Sequence, residues 1–230
     1  MARSPRRITR RDIRKPDQFV AVTGEIFHYV KQNRKPFIGA AVAVALALVG
    51  LWGWAAYAQR QNQLAAKDYV RAVDLYRAGK YADAVELFGK AKEYRLSSYS
   101  GPALLYQANS YVALGDPAKA AVSLQELLRK ERKQSLLRQL GLLSLAYLHE
   151  TAGNCKEAAP SFAEAEKIVA PFTDEAILGK ARCSMETQDP KGALESYRRY
   201  LTSYPAGDRA GEVTIKVQEL EARLAGQGGK

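Results

Sequence analysis

The stretch GKYADAVELFGKA, residues 79–91, contains a glycine, an alanine five residues later and an aromatic side chain four residues after that. A similar order returns three times, in GDPAKAAVSLQEL from Gly115, GNCKEAAPSFAEA from Gly153 and QDPKGALESYRRY from Gln188. The copies begin 36, 38 and 35 residues apart. Internal similarity at such a period predicts a stack of similar supersecondary units.

Each copy is expected to be a pair of helices joined by a short turn. A small residue in each helix lets the two helices cross closely: Ala72, Ala108, Ala146 and Ala181 in the first helices, and Ala84, Ala120, Ala158 and Ala193 in the second. The larger side chains that fill the space towards the next pair are Phe88, Leu124, Phe162 and Tyr197. A glycine just after the first helix supplies the positive φ that ends it.

This pattern resembles the tetratricopeptide repeat (TPR) family over about residues 62–205. The resemblance implies an all-α, TPR-type α-solenoid of about four helix-turn-helix repeats, at about residues 65–98, 101–134, 139–172 and 174–207. Residues 209–224 carry apolar side chains on one face and are expected to form the capping helix that shields the last repeat. Gln188, in place of the fourth glycine, and Pro160, inside a second helix, depart from the family pattern.

A 23-residue stretch without charge, PFIGAAVAVALALVGLWGWAAYA, precedes the repeats at residues 36–58. As a helix it would be about 34 Å long, enough to cross a bilayer. The protein has a net charge of +11, and residues 1–35 hold ten Lys or Arg against three acidic residues. This asymmetry predicts a cytoplasmic N-terminus, one transmembrane helix in contact with the lipid bilayer, and a repeat domain at 59–225 on the periplasmic or extracellular side.

A cleaved signal peptide is the alternative interpretation of this segment. Ala56-Tyr57-Ala58 has the small-x-small form of a cleavage site, and Thr9-Arg10-Arg11 is similar to the start of a twin-arginine signal. The apolar run is longer than a signal core, and the arginine pair lies far from it, so a retained anchor is favoured. Within the basic tail, residues 17–31 are expected to form a short amphipathic helix on the inner membrane surface or against a partner.

No catalytic constellation is predicted, and the protein is not expected to be an enzyme. His149-Glu150 begins like a zincin motif, but Gly153 stands where the second histidine would be needed. Cys155 and Cys183 map to one edge of adjacent repeats and could form a disulfide outside the cytoplasm, or remain two free thiols. We expect no cofactor and no metal. Nucleic acid is not expected as a partner either, because the basic tail offers few aromatic residues for stacking and adjoins a membrane segment.

Protein binding remains as the predicted function, through the concave surface that the first helices form. Matching TPR positions gives a candidate groove of Tyr69, Val73, Tyr76, Leu105, Asn109, Val112, Leu143, Tyr147, Leu178, Arg182 and Met185. TPR grooves for C-terminal carboxylates use several Lys, Arg and Asn side chains. Here only Asn109 and Arg182 are present, so an apolar extended or helical segment is the better ligand. The alternative is that several of these side chains only pack against a neighbouring helix or a second copy; the oligomeric state is not predicted.

The complete layout resembles the bacterial ancillary subunit of the SecYEG translocon, with FHYVKQNRKPF before the span as the local similarity. The resemblance implies a single-pass protein of the bacterial inner membrane that links the translocon to periplasmic chaperones or client chains. A scaffold that assembles an envelope complex for division, secretion or polymer export is the alternative.

Overall fold

A computed structural model describes residues 34–227 of the 230-residue chain. The basic tail and the amphipathic helix expected at residues 17–31 lie outside the described residues. Within the described range the structure is all helical: α1 (Arg34–Arg77), α2 (Tyr81–Glu93), α3 (Ser100–Ala113), α4 (Pro117–Lys130), α5 (Leu136–Thr151), α6 (Cys155–Glu166), α7 (Thr173–Glu186), α8 (Pro190–Ser203) and α9 (Ala210–Gln227). By contacts the chain divides into two units, Met1–Tyr57 and Ala58–Lys230.

The described part of the first unit is the N-terminal portion of α1. This helix is long and apolar enough to cross a membrane, and none of its most apolar stretch is buried. Large side chains such as Leu46, Leu51 and Trp52 are exposed. An exposed apolar helix of this length near the N-terminus is typical of a membrane anchor or of a signal sequence.

The second unit is a row of helix pairs, and its core is made by the small residues that recur in the sequence. All eight alanines predicted at the close helix crossings are fully buried. The predicted inter-repeat side chains are buried as well: Phe88, Leu124, Phe162 and Tyr197. The TPR-like fold predicted from the sequence is therefore confirmed.

The same turn joins the two helices of every repeat. Gly79, Gly115 and Gly153 have φ of 73°, 74° and 75°, and Gln188 adopts the same conformation with φ 61°. In each turn the next residue donates its backbone N–H to a carbonyl near the end of the first helix, for example Asp116 to Tyr111 at 2.9 Å. This is the hydrogen bond of a Schellman C-cap, which needs a left-handed residue.

Two of the second helices begin with an Asp-Pro pair. The Asp116 carboxylate accepts the backbone N–H of Lys119 at 3.0 Å, and that of Asp189 accepts the N–H of Gly192 at 2.9 Å. Each aspartate is therefore an N-cap, followed by proline at the first helical position.

The last helix, α9, covers the end of the fourth repeat. Val213, Val217 and Leu220 are buried in one cluster with Tyr197 and Tyr200 of α8. Without α9 these side chains of α8 would face water, so α9 serves as the cap of the repeat row.

Candidate functional groove

The positions around the small residue of each first helix determine which side chains reach the concave surface. In repeats three and four, the side chain three residues before the small alanine points towards the core. These side chains are Leu143, which is 5% exposed, and Leu178, which is 1% exposed. These two side chains belong to the buried clusters. They are removed from the candidate groove, since they pack inside the protein.

The side chains one residue and four residues after the small alanine reach the concave surface. A cavity of about 420 Å³ is lined by four of the predicted residues, Tyr76, Asn109, Val112 and Tyr147. It is completed by residues that the sequence comparison did not select: Ala108, Ala113, Leu124, Ser144, Leu148 and Thr151. The cavity is thus an apolar space between the first helices of repeats one, two and three.

Asn109 is one of the polar side chains in the lining of this cavity. Its amide makes no hydrogen bond with any residue in the described range, 34–227. An amide carries both donor and acceptor atoms, so it can pair with the backbone of a bound chain.

Repeats one and two contribute an aromatic cluster, which consists of Tyr69, Tyr76, Phe88, Tyr99 and Tyr106. Tyr106 lies at its centre, with ring centroids 5.5 Å from Tyr76, 5.6 Å from Phe88 and 6.0 Å from Tyr69. Burial raises the pKa of Tyr69 and Tyr76 above the usual value for tyrosine. These rings therefore stay neutral at physiological pH. Val73 and Leu105 are half-buried beside the cores of the first two repeats.

Repeats three and four, together with Arg209 just before α9, form a charged cluster, which consists of Tyr147, Glu150, Glu175, Arg182 and Arg209. Arg182 donates two hydrogen bonds to Glu150, from Nε at 2.7 Å and from Nη2 at 3.0 Å. Glu175 accepts a hydrogen bond from the Tyr147 hydroxyl and lies 3.4 Å from Nη1 of Arg209. Bidentate pairing holds the Arg182 guanidinium in a fixed orientation.

The electrostatics of this cluster follow from those contacts. Burial, and then the hydrogen bond to Glu175, raise the pKa of the Tyr147 hydroxyl well above its usual value. The hydrogen bond to Glu150 raises the pKa of Arg182. Since Arg182 is already paired with a carboxylate of this chain, it is not free to capture one from a ligand.

Glu150 could have been found from the sequence, because it lies four residues after Ala146 and so occupies the same repeat position as Tyr76 and Val112. Arg209 could not, because it precedes α9 and lies outside the repeats. Met185, the last predicted groove residue, lines a different and smaller cavity of about 200 Å³ against α9.

Cys155 and Cys183 are joined in a disulfide, with their Cα atoms 4.9 Å apart. The bond links the start of α6 to the end of α7, at the edge of the domain that carries the turns within repeats. Among residues 34–227, no group of three or more His, Cys, Asp or Glu is placed to hold a metal ion.

The sequence profile described as a tetratricopeptide repeat-like domain matches residues 28–222. The chain belongs to the tetratricopeptide repeat-like domain family. A fold of this kind points to protein–protein interaction, and the matching family is a repeat domain with no catalytic description. No curated protein matches the chain.

Several solved structures have the same fold as this TPR-like chain. One is a tetratricopeptide repeat protein from Parabacteroides merdae, with TM-score 0.59 and 16% identity over 70% of this chain and 61% of that one. This chain therefore spans about three fifths of that protein's length. MamA has TM-score 0.54 and 14% identity over 71% of this chain and 94% of its own. A putative kinesin light chain from Podosopora anserina has TM-score 0.52 and 15% identity over 74% of this chain and 98% of its own. At these identities the likeness shows the fold alone.

Proposed function

We propose that this protein is a single-pass membrane protein whose TPR domain binds an apolar segment of another polypeptide. The observation that carries the proposal is the cavity of about 420 Å³ bounded by Tyr76, Val112 and Tyr147. Its lining includes the Asn109 amide, which has no hydrogen-bond partner among residues 34–227. Pockets of this size and apolar character hold a few side chains of a ligand. The Asn109 amide would pair with the backbone of the bound segment.

The charged cluster supports an apolar ligand over an acidic one. Arg182 lies beside the cavity, with its guanidinium 5.8 Å from the ring centroid of the lining residue Tyr147. Its bidentate pair with Glu150 would have to break before it could bind a carboxylate of a ligand. Breaking a partly buried pair leaves a carboxylate unpaired, which is costly.

The membrane part of the proposal is a retained anchor, with the N-terminus in the cytoplasm and the TPR domain in the periplasm. It is supported by the apolar helix and by the excess of basic residues before it. The disulfide between Cys155 and Cys183 suits an oxidising compartment. Within this location, the resemblance to the ancillary SecYEG subunit makes translocating chains or periplasmic chaperones the proposed partners.

Site-specific photo-cross-linking tests the groove. Val112 lines the cavity and is 52% exposed, whereas Val122 is a valine of the same repeat, 62% exposed on α4 and not part of the cavity lining. Benzoylphenylalanine at Val112 in the full-length membrane protein should capture a polypeptide that the same group at Val122 does not. Val112→Asp should reduce co-purification of that polypeptide in mild detergent, and Val122→Asp should not.

The identity of the captured polypeptide separates the two functions. Translocating chains or chaperones at Val112 would support the link to secretion. Stable components of an envelope assembly would instead support a scaffold. Equal capture from Val112 and Val122 would contradict the groove itself.

A further inference from the structure

The loop between α2 and α3, residues 94–99, is fastened to α1 close to the end of the apolar segment. The side-chain carbonyl oxygen of Asn62 accepts hydrogen bonds from the Ser97 hydroxyl and the Ser98 backbone N–H, both at 3.1 Å. The Tyr99 ring lies 5.3 Å from that of Tyr69, also on α1. The loop therefore has a fixed position at the level of Asn62.

With the anchor retained as proposed, covalent connection alone keeps Asn62 near the membrane surface. It follows Tyr57, the last aromatic residue of the apolar segment, by five residues of one continuous helix. Five helical residues cover about 8 Å. The headgroup layer on each side of a hydrocarbon core is about as thick as this. A loop that is bonded to Asn62 is consequently within reach of lipid headgroups.

A cavity of about 440 Å³ opens beside this loop, lined by residues that suit an anionic group. Arg95, Ser97 and Ser98 line it from the loop, and Lys130 and Glu131 line it from the end of α4. Arg95 makes no ion pair, and the Ser98 hydroxyl no hydrogen bond, with the residues that the structure describes. Lys130 pairs with Glu126 at 2.8 Å, and Glu131 accepts the Ser135 hydroxyl at 3.0 Å. The single carboxylate of the lining thus has its own donor.

Three further cations lie within three residues of Lys130 in the sequence, and together with the two lining cations they are called the basic edge, defined as Arg95, Arg129, Lys130, Arg132 and Lys133. Arg129, Arg132 and Lys133 are exposed and have no ion-pair partner within residues 34–227. Leu96, next to Arg95, is 40% exposed. Exposed cations together with an apolar side chain are the combination that binds an anionic membrane surface.

We infer that the basic edge is a second membrane contact, in which the cavity at Arg95 and Lys130 binds the phosphate of an anionic lipid and Leu96 reaches the interface. This inference rests on the retained anchor proposed above.

Cross-linking to lipid in proteoliposomes tests the inference with the full chain. Benzoylphenylalanine at Leu96 is compared with the same group at Leu114, which is 47% exposed at the turn within repeat two. In vesicles of phosphatidylethanolamine and phosphatidylglycerol, position 96 should give a lipid adduct by mass spectrometry and position 114 should not. Equal adduct yields at the two positions would overturn the inference.

The charge requirement is tested in the same vesicles. Arg95→Gln combined with Lys130→Gln should lower the adduct yield at position 96 by about five-fold or more, as expected for two cations near an anionic surface. Lys80→Gln combined with Lys156→Gln, two exposed lysines near the turns within repeats, should leave it unchanged. Vesicles of phosphatidylcholine alone should reproduce the loss. An adduct that is independent of Arg95, Lys130 and lipid charge would contradict headgroup binding.

Two controls separate the possible failures. Inorganic phosphate competes for the cavity, so it should reduce the adduct at position 96 more than sodium chloride of equal ionic strength does. Equal reduction by the two salts would contradict a phosphate site at Arg95 and Lys130, and a site for free phosphate and not lipid would give no adduct at position 96 even in phosphate-free buffer. Extraction with alkaline carbonate reports the anchor independently. A protein released by carbonate would overturn both the anchor and this inference, whereas a retained protein without an adduct at position 96 would overturn this inference alone.

Discussion

The aromatic cluster of repeats one and two and the charged cluster of repeats three and four share one repeat position, that of Tyr76 and Glu150, yet they are held together differently. In the first, Tyr106 packs against Tyr69, Tyr76 and Phe88 through ring contacts. In the second, Arg182 joins Glu150 through two hydrogen bonds and approaches Glu175 to 3.8 Å. A solenoid tolerates this difference because each repeat contacts only its neighbours.

The difference also explains where the groove is open. Tyr76 of the aromatic cluster and Tyr147 of the charged cluster both line the cavity, with Asn109 and Val112 between them. Ring contacts leave the exposed faces of the side chains available, whereas ion pairs use the polar atoms that a ligand would need. We therefore expect ligand affinity to depend on repeats one to three, and the rigidity of the C-terminal half to depend on the charged cluster.

The largest expected effect that separates the two halves comes from the disulfide, which lies only in repeats three and four. It closes a segment of 28 residues. Replacing both cysteines by serine should lower the free energy of unfolding by about 3 kcal/mol in the loop-entropy account. Hydrogen exchange should show faster exchange in α6 and α7, with α2 and α3 as the internal control. Equal acceleration in α2 and α3 would mean that the two halves unfold together.

The next effect comes from the ion pairs. Arg182→Met should destabilise the protein by about 2 kcal/mol, because Glu150 and Glu175 lose a partly buried partner. Tyr69→Phe in the aromatic cluster should change stability by less than about 0.5 kcal/mol, since its hydroxyl has no hydrogen bond within the described residues. Urea unfolding in detergent measures both. Adding Glu150→Gln to Arg182→Met should restore part of the loss; no restoration would show that the pair is not coupled.

The contrast between the clusters also shows what could be predicted from the sequence. Fully buried alanines and the positive φ at Gly79, Gly115 and Gly153 follow from the repeat alone, because close helix crossing and the C-cap each tolerate few residue types. Side chains on the open surface carry no such constraint. Leu143 and Leu178 were therefore misplaced in the groove, although their positions three residues before the small alanine point inward.

The charged cluster was harder to foresee, because its partners come from three elements. Glu150 lies on α5, Arg182 on α7, and Arg209 just before α9. Residues separated by about one repeat are adjacent in space, so a search for opposite charges at that separation would have found the pair of Glu150 and Arg182, which are 32 residues apart. The contact of Arg209 depends on how the capping helix packs, and no period in the sequence encodes that.

A smaller effect should appear at alkaline pH. Burial and Glu175 raise the pKa of Tyr147 in the folded state above the ordinary value of 10.0. The stability from this shift is complete below pH 10 and is lost as pH rises towards the folded pKa, because the unfolded tyrosine ionises first. At pH 11 wild type should lose about 1 kcal/mol relative to Tyr147→Phe, a value that allows for partial solvent exposure.

Unfolding of the two proteins at pH 8 and pH 11 measures this loss. Tyr69→Phe is the control from the aromatic cluster. Burial is the main cause of the raised pKa of Tyr69, and no carboxylate accepts a hydrogen bond from its hydroxyl within the described residues. A stability difference between wild type and Tyr147→Phe that does not change with pH would show that the hydroxyl is not held neutral by its contacts.

The smallest expected effect concerns the turn within repeat four, which has Gln188 where the turns within the other three repeats have glycine. Gln188 adopts φ 61° where the turns of the first three repeats have glycine, and left-handed backbone is unfavourable for a residue with a Cβ atom. Gln188→Gly should therefore stabilise the protein by about 0.5–1 kcal/mol.

Gly115→Ala is the matched control in repeat two. An added Cβ would have no neighbour within 4 Å, so its cost of about 1 kcal/mol would be conformational only. Urea midpoints at neutral pH should move in opposite directions for the two variants. If Gly115→Ala destabilises and Gln188→Gly has no effect, the Gln188 side chain offsets its strain, and the fourth turn is held by more than its backbone hydrogen bonds.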